Sequence, residues 1–70
     1  MKRDELIQRS PKILGGTPVF AGTRVPIRIL IDYLKAGDDV ERFLDDFPTV
    51  NREQVTGVLE IAGELLLAEV

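Results

Sequence analysis

The sequence predicts a mainly α fold in which a short N-terminal β-hairpin segment, residues 1–25, precedes a three-helix unit, residues 26–70, within one compact domain. Three observations predict it. The 70 residues are enough for one small domain. Pro and Gly interrupt residues 10–26, whereas later apolar residues recur at helical spacing. The second half also carries two helix-start signals, at Asp38 and Asn51.

The N-terminal segment is expected to hold short strands separated by turns. Residues 5–9 fit either an edge strand or a turn of helix, and Pro11 ends either one because it has no N–H to donate. Gly15-Gly16 predicts a turn. Val19-Phe20 and Arg24-Val25 flank Ala21-Gly22-Thr23, which predicts a β-hairpin with Gly22 at positive φ.

The first predicted helix covers residues 26–36. Pro26 suits the first turn, where its missing N–H is not needed. Gly37 fits the position that ends the helix. The apolar face is formed by Ile27, Leu30, Ile31 and Leu34.

The second predicted helix covers residues 39–46. Asp38 is expected to be its N-cap, with Glu41 completing a capping box. Pro48 is expected to end it. The apolar face is formed by Val40, Phe43, Leu44 and Phe47.

The third predicted helix has the strongest start signal. Asn51 and Gln54 are spaced as a capping box, and Val50 and Val55 as a hydrophobic staple. Gly57 and Gly63 weaken the helix and are expected to permit close approach of another backbone. One continuous apolar stripe is formed by Val55, Val58, Leu59, Ala62, Leu65 and Leu66, and all of these except Leu65 are assigned to the core. A short helix, a tight turn and a longer capped helix form the outline of a helix-turn-helix.

Composition excludes several classes of chemistry. The chain has no Cys and no His, so it has no disulfide, thiolate nucleophile, sulfur-ligated zinc or imidazole base. The neighbouring carboxylates Asp38-Asp39 and Asp45-Asp46 do not face each other on a helix. We therefore expect a non-enzymatic protein without cofactor, metal or small-molecule substrate. It has no apolar run of membrane-spanning length and no signal-peptide pattern, so we expect a cytoplasmic protein.

Charge is distributed unevenly. Residues 1–31 hold six basic and two acidic residues, whereas residues 32–70 hold three basic and ten acidic residues. Only the N-terminal half is therefore suited to phosphates, while the acidic half suits a basic protein partner. A solvated surface of mixed charge is the alternative interpretation.

The helix-turn-helix outline supplies candidate DNA contacts. Base contacts are expected near the start of the third helix, from Thr49, Asn51, Arg52 and Gln54. Phosphate contacts are expected from Lys2, Arg3, Arg9 and Lys12. Arg24 fits either a phosphate contact or an ion pair with Asp32 or Asp46. An ordinary capped helix with a solvated first turn is the alternative for the third helix.

The run from Ser10 to Pro26, SPKILGGTPVFAGTRVP, closely resembles the signature P-x-I-L-G-G-x-P-x-(I/F)-x-G-T-R-(I/V) of the uncharacterised-domain family DUF433. The resemblance continues through residues 31–38 and 43–48 and covers about residues 5–66. Ser10 departs mildly from the Asn or Asp usual before the first Pro.

The resemblance implies a small prokaryotic protein with a homeodomain-like three-helix unit behind a short β segment. It also implies an antitoxin of the VapB type, which silences a PIN-like nuclease toxin and represses its own operon by binding operator DNA. A protein-interaction module that does not bind DNA, such as a homodimeric adaptor, is the alternative.

Two expectations about partners follow. A 70-residue core without disulfides or metal favours a homodimer, for which Val19, Phe20 and the third helix offer apolar surface. Apolar residues off the core stripe of the third helix, with a carboxylate beside them, are expected to bind the toxin; these are Ile61, Glu64, Leu65, Leu67 and Ala68. Fraying or closure of the homodimer is the alternative use of residues 65–70.

Overall fold

Two short strands pair near the N-terminus, and helices make up most of the rest of the fold. The computed structural model describes the backbone of residues 3–68 and the side chains of residues 5–68. One helical turn, α1 (Arg3–Leu6), leads into β1 (Ile7–Gln8). Residues 5–9, whose sequence fits either a strand or a helical turn, therefore contain part of each. A 3₁₀ turn (Leu14–Gly16) precedes β2 (Val19–Phe20). The strands are antiparallel, with Ile7 opposite Phe20 and Gln8 opposite Val19.

The hairpin expected from Val19-Phe20 and Arg24-Val25 forms only in part. The amide of Phe20 donates to the carbonyl of Val25 at 2.9 Å, and a single bridge joins Val19 to Pro26. Gly22 has φ +76°, as the turn requires. Pro26 has no N–H, which prevents a regular ladder here, and the regular strand partner of Val19-Phe20 is instead β1.

Helix α2 (Ile27–Lys35) is one residue shorter at each end than predicted. Its end is a Schellman motif, in which Gly37 has φ +91° and its amide donates to the carbonyl of Leu34. The amide of Asp38 donates to the carbonyl of Tyr33 at 3.0 Å in the same motif. Gly37 therefore ends the helix as expected.

Helix α3 (Val40–Asp46) is capped by Asp39, whose side chain accepts from the amide of Arg42 at 2.9 Å. The prediction of Asp38 as N-cap is wrong, because the Asp38 backbone completes the end of α2. Glu41 consequently lies one position too early for the expected capping box.

Helix α4 (Arg52–Ala68) begins as predicted. The Asn51 side chain accepts from the Gln54 amide at 2.9 Å, and the Gln54 side chain accepts from the Asn51 amide at 3.1 Å. Val50 and Val55 are both buried in the same cluster, as a hydrophobic staple requires. The capping box is confirmed.

The core lies where the hairpin meets the helices. Phe43 is fully buried, with its ring centroid 5.7 Å from that of Phe20 and 5.5 Å from that of Tyr33. The other buried members of this cluster are Leu6, Leu30, Val50, Val55 and Val58. The predicted class, a mainly helical fold with an antiparallel two-stranded hairpin followed by three helices, is confirmed.

Two predicted core stripes are only partly buried. On α2, Leu30 is buried but Ile31 and Leu34 are exposed. On α4, the stripe leaves the core after Val58, since Leu59, Leu65 and Leu66 are exposed, whereas Ile61 packs against the core. Placing Ile61 off the core stripe is therefore wrong.

Val19 and Phe20, offered as dimer surface, are fully buried within the chain. They consequently cannot supply surface to a second copy. None of the helices in the described residues is long and apolar enough to cross a membrane.

Candidate functional site

Gln54 lies in the interior of the domain. Its side chain is 6% exposed, and its amide nitrogen donates to the carbonyl of Ala21 at 2.9 Å. Its amide oxygen accepts from the backbone of Asn51. Both ends of the side chain are therefore occupied inside the chain, which does not fit the predicted role of Gln54 in reading bases.

The exposed start of α4 has little positive charge to offer. Arg52 forms a salt bridge with Glu41, and both side chains are more than half exposed. Arg52 lines a shallow cavity of about 370 Å³ together with Glu53, Thr56, Gly57 and Glu60. Two carboxylates on this face, beside an arginine that already has a partner, disfavour contact with phosphates.

Three basic residues of the N-terminal half, Arg9, Lys12 and Arg24, lie on the loop and turn around β2. Arg9 donates from Nε to the carbonyl of Gly16 at 3.0 Å, and Lys12 is exposed. Lys2 and the side chain of Arg3 lie outside the described residues.

Arg24 is exposed on the turn after β2. Within residues 5–68 it makes no salt bridge with Asp32 or Asp46, so the predicted ion pair is not formed there. It lines an open groove of about 620 Å³ that Phe47 and Thr49, from the connection between α3 and α4, also line. The structure therefore brings Arg24 and Thr49 to one groove.

The turn that carries Arg24 is anchored from two sides. Its Gly22 amide donates to the side-chain oxygen of Gln8 at 3.2 Å. Its Ala21 carbonyl accepts from Gln54. These bonds tie the G-T-R segment both to β1 and to the first turn of α4.

Asp46 joins α2 to α3. The Tyr33 hydroxyl donates to Asp46 Oδ2 at 2.6 Å, and Arg42 Nε donates to the same oxygen at 3.2 Å. The hydrogen bond from Tyr33 has the largest effect and the one from Arg42 the next largest in holding the pKa of Asp46 below its usual range. The same bond to Asp46 raises the pKa of Tyr33. Asp46 therefore already has two partners in the fold.

The side chains of the described residues form no group of three or more metal-ligating residues. The Asp38-Asp39 pair is used at helix ends, with Asp39 as the N-cap of α3. Whether the chain is an enzyme stays a prediction from composition.

The last turns of α4 extend past the core. We name residues 64–68 the α4 overhang; all five are exposed, and Leu65, Leu66 and Leu67 are exposed to 55%, 65% and 77%. Ile61, from the predicted partner surface, packs instead at the edge of the core. Leu65 and Leu67 are separated by about 200° of helix rotation, so they do not share one face.

A second apolar surface lies beside α2. We name it the α2 groove, an open depression of about 360 Å³ lined by Ile7, Thr17, Pro18, Ile27, Arg28 and Ile31. Ile31 is 48% exposed. Sequence reasoning missed this surface because Ile31 was assigned to the core stripe, and the exposed side of α2 becomes evident only when β1 and Pro18 are placed next to it.

Comparisons with known proteins agree with the signature in residues 10–26. The chain is 45% identical over 51 residues to an uncharacterized protein, y4eO, from Sinorhizobium fredii. The match covers 73% of this chain but 23% of that protein, so the chain spans about a quarter of the length of this relative. No solved structure matches the chain. A family model described as a protein of unknown function (DUF433) matches residues 7–62. Since that match covers most of the chain, the protein belongs to the DUF433 family.

Proposed function

We propose that this chain is an antitoxin-like protein that binds a PIN-like nuclease toxin through the α4 overhang and thereby silences it. The observation that carries the proposal is the exposure of three consecutive leucines, Leu65 to Leu67, on a helix that extends past its own core. Contiguous exposed apolar surface on a small protein is typical of an interaction site. A projecting helix can place such a surface in a groove of its partner.

The face of α4 that turns toward the partner follows from helix geometry. Ile61, Leu65 and Ala68 continue along the side on which Val58 is buried, since they are spaced by three, four or seven residues. From Val58 to Leu65 this line runs about 10 Å along the helix axis. Leu65 and Ala68 are therefore the central contacts of the proposal, and Leu67 lies outside that line.

The charge beside this line favours a basic partner. Glu60 and Glu64 are exposed, and neither forms a salt bridge within the described side chains. The RNA-binding cleft of a nuclease is expected to be basic, so Glu64 next to the apolar line and Glu60 one turn before Glu64 suit that cleft. The resemblance to VapB-type antitoxins supports the same class of partner.

The test uses the full chain co-expressed with a PIN-like toxin encoded beside its gene. Leu65→Lys is expected to lose co-purification and rescue of growth, because it places a charge at the centre of the contact. Leu14→Lys is the matched control, since Leu14 is 54% exposed on a different element and is expected to behave as wild type. Wild-type rescue by Leu65→Lys, or by a folded chain truncated after Gly63, would contradict the assignment.

Operator binding is the second candidate function. The observation in its favour is the groove that Arg24 shares with Thr49 beside the connection between α3 and α4, with exposed Lys12 on the preceding loop. With the toxin present, Lys12→Ala is expected to weaken binding evenly across DNA sequences and to lower its salt dependence. If the chain does not shift the mobility of promoter fragments at low salt, operator binding is rejected. The remaining function is then a protein-interaction module that does not bind DNA.

A further inference from the structure

We propose that the α4 overhang of one copy of this chain occupies the α2 groove of a second copy. Self-association of this kind joins two unlike surfaces of the chain. The inference does not depend on the proposed toxin or operator, because both surfaces belong to this protein and the assembly needs no other component.

The groove has the shape and lining of a docking site. Ile7, Pro18, Ile27 and Ile31 supply an almost wholly apolar wall, and Arg28 is the charged residue on its rim. Leu34, one turn beyond Ile31 and also exposed, extends the apolar surface along α2. A helix that carries a line of leucine and alanine suits such a depression, as in other helix-in-groove contacts.

The overhang has the complementary form. Leu65 and Ala68 lie on one line of α4, and both are exposed. The groove and the overhang are uncovered in the same molecule, so the overhang of a chain is not seated in its own groove. A second copy supplies the missing half of each contact.

Charge distinguishes a second copy from an arbitrary apolar partner. Arg28 and Lys35 are exposed seven residues apart on α2, on the side next to Ile31. Glu64 is exposed on α4 three residues after Ile61 and four before Ala68, so it lies beside the apolar line of the overhang. None of these three side chains forms a salt bridge within residues 5–68. A basic rim on the groove and an acidic residue beside the overhang are the complementarity that specific interfaces show.

Asp32 also lies on α2, one turn after Arg28. It is farther round the helix from Ile31 than Arg28 and Lys35 are, since each residue turns the helix by about 100°. The rim next to the groove is therefore basic.

The first test measures self-association of the full chain by analytical ultracentrifugation over a micromolar concentration series. Wild type is expected to associate reversibly. Ile31→Lys in the groove and Leu65→Lys in the overhang are each expected to raise the dissociation constant at least tenfold, while Leu14→Lys leaves it unchanged. All three positions are about half exposed, so the fold is expected to persist in each variant, which circular dichroism checks.

Charge reversal tests the pairing directly. Arg28→Glu and Glu64→Arg are each expected to weaken self-association about fivefold to tenfold. An equimolar mixture of the two variants is expected to recover association, because Glu at position 28 of one chain then meets Arg at position 64 of the other. The control Glu53→Arg lies near the start of α4 and is expected to have no effect.

A chain that stays monomeric at every concentration, or an Ile31→Lys variant that associates like wild type, would overturn the proposal. Failure of the mixture to recover association would overturn the pairing of the two surfaces. Toxin and a second copy compete for the same overhang in this account. The toxin proposal is judged separately, since Ile31→Lys keeps the overhang intact and is expected to bind toxin at least as well as wild type.

Discussion

The side-chain amide of Gln54 makes two hydrogen bonds, to Asn51 and to Ala21, and the sequence predicts only the first. Its bond to Asn51 follows from a spacing of three residues, which the capping-box pattern contains. Its bond to the Ala21 carbonyl joins residues 33 positions apart and depends on where the hairpin packs. Residue type alone therefore favoured a role in DNA contact, whereas the fold uses Gln54 to hold the G-T-R turn against α4.

Gln54→Ala is expected to lower the free energy of unfolding by about 1–3 kcal/mol, because it leaves the Ala21 carbonyl and the Asn51 amide without their partner. Urea unfolding measures the change. Thr56→Ala, on the exposed side of the same helix, is the control and is expected to change stability by less than about 0.5 kcal/mol. Equal midpoints for the two variants would show that the buried amide does not stabilise the fold.

Replacing each of the two glycines of α4 by alanine is expected to change the stability of the domain in opposite directions. A Cβ on Gly57 would lie 2.8 Å from both δ carbons of buried Leu6, whereas a Cβ on Gly63 would meet no atom within 4 Å. Gly63→Ala should stabilise the domain by about 1 kcal/mol through helix propensity. Gly57→Ala should destabilise it, because overpacking of about 1–3 kcal/mol outweighs that gain.

Thermal unfolding of both glycine variants measures these changes. Combining Gly57→Ala with Leu6→Ala should remove the clash, so the two substitutions should cost less together than the sum of their separate effects. Stabilisation by Gly57→Ala comparable to that by Gly63→Ala would show that Leu6 does not pack against this glycine.

At the scale of elements, local signals located the helices to within a residue or two, and competition between neighbouring signals caused the errors. Asp38 and Asp39 are both good N-cap residues, and the sequence does not show that the Asp38 amide is already used at the end of α2. The apolar periodicity of α2 was correct, but which side of a helix is buried depends on the elements packed against it. Leu30 faces Phe43 and its neighbours in the core, while Ile31 borders the groove.

The contact between α2 and α3 is expected to weaken in acid. The pKa of Asp46 is lowered by the Tyr33 hydroxyl and then by Arg42. Its ionised form therefore stabilises the folded state above the unfolded-state pKa, and this contribution is lost as the pH falls below about 4. Asp46→Asn should lower stability at neutral pH and reduce its dependence on pH in that acid range.

Tyr33→Phe provides an independent check, because it removes the hydroxyl whose hydrogen bond lowers the pKa of Asp46 most. An NMR titration of the Asp46 carboxyl should find its pKa closer to the usual value in Tyr33→Phe than in wild type. An unchanged pKa would assign the shift to Arg42 alone. Asp45→Asn, at the exposed neighbouring position, is the control for the unfolding experiment.

At the scale of the whole molecule, the sequence predicted the mainly helical class and its order of elements, because caps, turns and periodicity are local properties. It predicted an uncovered apolar surface that includes Leu65, Leu67 and Ala68, but it did not predict the α2 groove, because exposure there depends on which residues the other elements leave uncovered. Ile31 was taken for core, and Leu65 and Leu67 were assigned to one face although helix rotation separates them. The family match ends at residue 62, so the overhang lies beyond the region that the family model describes.

The balance of charge separates the two proposed activities. The exposed first turns of α4 carry Glu53 and Glu60 beside an arginine already paired with Glu41, whereas the exposed Lys12 and Arg24 lie on the N-terminal loop and turn. Arg52→Ala is therefore expected to weaken specific operator binding by less than about 1 kcal/mol, below the usual cost of losing a good base contact. A loss of about 1–3 kcal/mol, measured by titration of promoter DNA at fixed salt, would restore Arg52 as a reader of bases.

The central claim, that the α4 overhang is the surface that meets the partner, is tested most directly by amide hydrogen exchange of the full chain with and without the co-expressed toxin. The account predicts that added protection is concentrated at residues 61–68, with little change at residues 49–56 at the start of α4. Protection concentrated at residues 49–56, with residues 64–68 exchanging as fast as in the unbound chain, would contradict it.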